Sequence, residues 1–111
     1  MSKKDTISQQ QIAEWKAEFG KVFKSTVGDD VLIWRRLKRK EYVTVMDDNF
    51  GGKDLTEFAQ IYARQEAIIK MVTLWPENVQ ELVEGTAGLA TTLSDEIVLR
   101  SGFQAPVIEE L

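Results

Sequence analysis

Lys21-Val22-Phe23-Lys24-Ser25-Thr26-Val27, then Gly28-Asp29-Asp30, then Val31-Leu32-Ile33-Trp34 is the stretch that decides the fold class. Both flanks are rich in β-branched and aromatic residues, which suit a pleated and half-buried surface, and the middle is turn chemistry. The pattern predicts a β-hairpin. Which face is buried stays open, because apolar residues fall on both parities of the second strand.

Working outward toward the N-terminus, Ser8 followed by Gln11 reads as a capping box, with the hydroxyl bonding the third helical amide and the glutamine reaching back. Ile12, Trp15 and Phe19 recur at helical spacing, and Gly20 is placed to end that helix in a left-handed conformation. Residues 1–7 read as a flexible terminus. Met1-Ser2-Lys3-Lys4-Asp5 is charged and no apolar run follows, so no secretory signal is expected.

Toward the C-terminus the pattern turns helical after Leu37, with Tyr42, Val45 and Met46 on one side, and stops near Asp47-Asp48-Asn49. Phe50-Gly51-Gly52-Lys53 predicts a loop, since adjacent glycines cost too much entropy inside an element. Asp54 with Glu57 signals the cap of the longest helix. Phe58, Ile61, Tyr62, Ile68, Ile69 and Val72 mark its expected buried stripe. Pro76 stops or kinks it after Trp75, and also suits the first position of a further short helix to about Val83. Gly85-Thr86-Ala87-Gly88 predicts a break. Thr92 is the expected cap of a last helix carrying Leu93 and Ile97, closed by Gly102, with Phe103 folding back onto Val98. The order of helix, hairpin and helices predicts one α+β domain over 1–111, with a C-terminal tail at 104–111.

A chain of 111 residues with 43% hydrophobic and 29% charged residues fits an ordinary folded domain. Cysteine and histidine are both absent. That removes disulfides, thiolate chemistry, the usual neutral-pH base and the commonest metal ligand, so the expectation is no enzyme, no metal and no cofactor. No run approaches the ~20 apolar residues of a membrane span, so no membrane partner is expected.

Arg35-Arg36-Leu37-Lys38-Arg39-Lys40 places five basic residues in six. A phosphate-contacting patch is one reading, and a solvated strand end answered by Glu41, Asp47 and Asp48 is the other. The net charge of −4 and the lack of interleaved aromatics speak against nucleic acid. Asp47-Asp48-Asn49-Phe50-Gly51-Gly52 lacks the alternating ligands and closing glutamate of a calcium loop. Gly51-Gly52-Lys53 lacks the rest of a phosphate-binding loop. Glu66, between Arg64 and Lys70, predicts surface ion pairing. Of Trp15, Trp34 and Trp75, two are expected in the core and one partly exposed. Trp34 and Trp75 are the candidates for partner binding, together with Val107, Ile108 and Leu111 of the tail. That tail is expected either to associate with a partner or another copy, or else to pack back on its own domain or stay disordered.

Three segments together resemble the small tail assembly chaperones of tailed bacteriophages. The first runs from Trp15 through the hairpin into Arg36-Leu37-Lys38-Arg39-Lys40-Glu41-Tyr42, similar to a helix start of the type Arg-Leu-x-Arg-x-Glu-Tyr. The second is Arg64-Gln65-Glu66-Ala67-Ile68-Ile69-Lys70 through Trp75-Pro76-Glu77, which looks like a long helix ending in an aromatic–proline pair, although the family usually has tyrosine where Trp75 stands. The third is Ala87-Gly88-Leu89-Ala90-Thr91-Thr92-Leu93-Ser94-Asp95-Glu96-Ile97, closing at Ser101-Gly102-Phe103. Residues 104–111 have no counterpart in that pattern. The resemblance implies a non-enzymatic protein that binds tape-measure or tail-tube proteins transiently in the host cytoplasm, with self-association compatible with it. The alternatives are a structural tail or baseplate component of the virion, or a nucleic-acid-binding regulator.

Overall fold

A computed structural model of the protein describes residues 7–103 and 105–111. The expected flexible terminus at 1–7 lies, apart from Ile7, outside the described residues, as does Gln104 of the tail. The architecture is α+β, in the order α1 (Gln9–Phe19), β1 (Val22–Val27), β2 (Asp30–Arg35), α2 (Arg39–Val45), α3 (Glu57–Val72), β3 (Thr73–Trp75), α4 (Val79–Gly85) and α5 (Leu89–Arg100).

The hairpin forms as its chemistry demands. Val27 pairs with Asp30, leaving Gly28 and Asp29 as a two-residue turn. Gly28 has φ +60° and among the described residues no non-glycine has positive φ, the combination a type II′ turn requires. The apolar residues on both parities of β2 have a tertiary explanation: β2 is the central strand of a three-stranded antiparallel sheet. Leu32 and Trp34 join the main core on one face, with Phe23 and Val27 packed against it. On the other parity Ile33 is also buried, and the Arg35 guanidinium lies over the Phe19 ring of α1, 5.6 Å from its centroid. Helix α1 therefore covers the second face, with Ile12, Trp15 and Phe19 only half-buried.

The third strand corrects the expectation that the long helix runs to Trp75. Helix α3 ends at Val72, and Thr73–Trp75 pairs with β2 through Ile33↔Trp75 and Trp34↔Thr73. One step along β2 corresponds to two along β3, so Leu74 is an extra residue in the ladder, as in a β-bulge. A free edge of β2 satisfies backbone groups that another helical turn would otherwise hold.

Helix ends divide into those read correctly and those displaced. Ser8 Oγ accepts from the Gln11 amide at 3.0 Å, and Gly20 has φ +86°. The cap of α3 is Thr56, whose hydroxyl accepts from the Ala59 amide, rather than Asp54. Helix α5 starts at Leu89, and Thr92 lies inside it with its hydroxyl donating to the Gly88 carbonyl. Helix α4 begins at Val79, three residues beyond Pro76. The core gathers Leu32, Trp34, Val45, Ile69, Val72 and Ile97 with further residues of α4 and α5.

Gly102 follows the last helix at φ +104°. Gly102→Ala is expected to lower stability by about 1 kcal/mol through positive-φ strain. Gly85→Ala is the matched control: Gly85, the last residue of α4, has no positive φ and nothing stands where its Cβ would go, so little loss is expected there. Urea midpoints of the two variants should separate; equal midpoints would reject the strain argument.

Candidate functional site

The stripe of α3 is not buried along its whole length. Ile68, Ile69 and Val72 are core residues, but Phe58 is 69% exposed, Tyr62 is 55% exposed, and Ile61 is also open. The expectation that all six would be covered is corrected here. At 16 residues α3 is about 24 Å long, whereas α5, at 12 residues, is about 18 Å. The core residues lie in its C-terminal half, and Phe58, Ile61 and Tyr62 of its N-terminal half are exposed.

Beside that uncovered half lies an open groove of about 560 Å³ between α2, α3 and α5. Its apolar wall is made by Tyr42 and Met46 of α2, Ile61 of α3, Val98 and Leu99 of α5, and Phe103. Leu37 and Val45 are buried and sink α2 into the core, which leaves Tyr42 and Met46 on its flank. The Phe103 ring meets Tyr42 at 4.7 Å and 50°, and Phe103 and Val98 both line the groove.

Polar side chains brace these walls. Arg64 donates through Nε to the Val45 carbonyl at 2.6 Å and through Nη2 to the Asp47 carbonyl at 2.8 Å. It satisfies carbonyls at the C-terminal end of α2, a role basic side chains commonly fill, and it corrects the expectation that Arg64 pairs with Glu66. The Gln60 amide donates to the carbonyls of Asp48 and Phe50, tying the Gly51-Gly52 loop to α3. The Thr91 hydroxyl donates to Gln65 Oε1 at 2.9 Å and links α5 to α3.

The basic run resolves into one inward residue and four outward ones. Arg35 makes a two-point ion pair with Glu41, at 2.9 and 2.7 Å, and donates to the Met71 carbonyl. Glu41 also accepts from the Lys38 amide at 2.8 Å. The Arg35 hydrogen bonds hold the Glu41 carboxyl below its ordinary pKa, against partial desolvation that acts the other way. Arg36, Lys38, Arg39 and Lys40 are exposed. Arg39 lies over the Tyr42 ring, 5.8 Å from its centroid, at the same end of the groove as Phe103.

The residues singled out from the sequence are scattered. Trp34 is 3% exposed and stacks on Phe23 at 4.6 Å, with its indole N–H donating to Ser25 Oγ at 2.8 Å. It is a core residue, and its place among the partner contacts is withdrawn. Trp15 and Trp75 are both half-buried, so one tryptophan, not two, is core. Trp75 stands opposite Ile33 in the ladder, on the face covered by α1 and away from the groove. Val107, Ile108 and Leu111 are exposed. The groove residues Tyr42, Met46, Ile61, Leu99 and Phe103 were not identified as a site in the sequence. The available signal was length: an apolar stripe from Phe58 to Val72 is longer than a small hairpin and two short helices cover.

The polar side chains that line the groove are Arg64, Gln65, Ser94 and Asp95, with the Tyr42 hydroxyl. Ser94 is buried and its hydroxyl donates to the Thr91 carbonyl at 3.3 Å, Arg64 is committed to carbonyls, and Asp95 is the one carboxylate among the groove-lining residues. Among the described residues no group of three or more metal-ligating side chains converges, and no helix is long and apolar enough to cross a membrane. Neither family models, nor curated proteins, nor solved structures give a match to this chain.

Proposed function

We propose that this chain is a non-enzymatic, protein-binding assembly chaperone of a tailed bacteriophage, with a tape-measure or tail-tube protein as client. The observation that carries the binding part is the open apolar groove between α2, α3 and α5. A contiguous uncovered apolar surface on rigid helices is what an interaction site requires. Met46, flexible and polarisable, suits a wall that must fit more than one client side chain. A net charge of −4 supports solubility while the groove is open. The phage part is supported by the resemblance of Arg36 to Tyr42, Arg64 to Glu77 and Ala87 to Ile97. The site of action is then the host cytoplasm.

The test is co-expression with tail-tube and tape-measure proteins of a tailed phage, followed by affinity measurement on the purified complex. Ile61→Asp puts a charge in the groove at an exposed position and is expected to weaken client binding at least about tenfold, on the order of 1.4 kcal/mol, with the melting temperature held. Unchanged binding rejects the groove as the client site. Mass spectrometry of purified virions is expected to find the chain absent; stoichiometric amounts would make it a tail or baseplate component instead.

A further inference from the structure

The groove is apolar over most of its lining, and basic side chains stand beside Tyr42 and Gly102. At the Phe103 end, Arg39 lies over Tyr42, and Arg36 Nη2 lies 3.5 Å from where a Cβ on Gly102 would stand. Lys40 follows in the same exposed run. Asp95 lines the groove from α5, and Arg64 is already spent on the carbonyls of Val45 and Asp47. An occupant that fits is therefore an extended apolar segment with acidic residues placed to meet Arg36 and Arg39.

The chain carries such a segment. Residues 105–111 have no helix or strand, and Val107 is 98% and Ile108 85% exposed, with Leu111 also outside any packing. Glu109 and Glu110 lie between Ile108 and Leu111. An unpaired Val-Ile-x-x-Leu run held in water has a favourable transfer free energy to any apolar surface that can receive it.

The segment leaves the fold at Phe103, itself a wall of the groove, with three residues between Phe103 and Val107. Pro106 has a restricted φ and biases Ala105 toward extended backbone. A reversal into the chain's own groove within that span works against both restrictions. Reception by a neighbouring molecule does not, and reciprocal exchange between two molecules is a closed two-fold arrangement.

We infer that Val107–Leu111 of one molecule docks in the α2–α3–α5 groove of a second copy, with Glu109 and Glu110 against Arg36 and Arg39. The inference rests on the reading of that groove as a peptide-binding site. It adds that the chain's own tail occupies it when no client is present, so that self-association and client capture compete.

The experiment is sedimentation equilibrium on the full chain and on single variants, with melting temperatures in parallel. The full chain is expected to show a concentration-dependent monomer–dimer equilibrium. Ile108→Asp is expected to abolish the dimer with the melting temperature unchanged. Arg39→Glu is expected to weaken the dimer about tenfold, and Glu110→Arg in the same chain to restore part of it. A full chain monomeric at all concentrations overturns the inference, as does a dimer indifferent to Ile108→Asp. A monomer whose melting temperature falls several degrees in Ile108→Asp overturns it in favour of packing on its own domain. Client binding separates this from the reading it rests on. A dimer lost on both Ile108→Asp and Ile61→Asp, with client capture untouched, keeps the tail docking and removes the client from the groove. Client capture lost on Ile61→Asp beside a dimer indifferent to the tail does the reverse.

Discussion

Trp34→Ala is expected to lower the unfolding free energy by about 3–5 kcal/mol, the range for removing a large aromatic from a packed core. Three contributions are lost together. The indole is 3% exposed, so nearly all its apolar area is withdrawn from water in the native state. Its stack on Phe23 at 4.6 Å disappears. Ser25 Oγ loses the indole N–H that donates to it. Natural domains of this size hold only about 5–15 kcal/mol in total, so the variant gives up a large fraction of its stability. Trp34→Phe keeps a ring against Phe23 and loses chiefly the hydrogen bond, so a smaller loss of about 1–2 kcal/mol is expected. Urea unfolding followed by circular dichroism reads both, and fluorescence of Trp15 and Trp75 gives an independent probe. A loss below 1 kcal/mol for Trp34→Ala would show that β2 does not organise the core.

The second large effect is expected at Arg35. Arg35→Met keeps the stem and removes the guanidinium, leaving Glu41 with the Lys38 amide and leaving the Met71 carbonyl without its donor. Truncating one partner of a buried pair costs about 3–5 kcal/mol. Here the side chains retain 12% and 23% of their exposure, and the solvent access screens the pair, so about 2–3 kcal/mol is expected. The sign of the pH dependence follows from Glu41. Its folded pKa is held below the ordinary 4.5, first by the hydrogen bonds from Arg35. The unfolded chain therefore takes up the proton first as pH falls. The stabilisation is complete above the ordinary carboxylate range and is lost as pH drops from about 4.5 through the lower folded value. Wild type should lose stability more steeply than Glu41→Gln across that interval, and the two curves should converge in stronger acid. Parallel curves would show that the pair contributes nothing to acid sensitivity.

Some of this molecule was determined locally, within a few residues of chain. Ser8 caps because its hydroxyl reaches an amide three residues on, and Gly20 and Gly102 end helices because glycine enters positive φ without a Cβ penalty. The Gly28-Asp29 turn joins its strands for the same reason, and the α+β class follows once hairpin and helices are both present. The core half of α3 was legible in the spacing of Ile68, Ile69 and Val72.

What only the tertiary structure decided is where those elements find partners. Thr73–Trp75 continues an apolar stretch that suits a helix equally well, and becomes a strand because β2 offers it a free edge. The side chains of β2 face both ways because α1 covers one face and the main core the other, and no property of β2 itself states that. Trp34 and Trp75 have the same composition signal, yet one is central in a sheet and the other at its edge. Phe58, Ile61 and Tyr62 have the same helical spacing as Ile68 and Val72 but are left exposed. Periodicity reports which face of a helix is apolar, whereas burial depends on whether a neighbour is long enough to meet that face. At the groove, Ile61 shares an open space with Val98 and Leu99 of α5 instead of a closed contact.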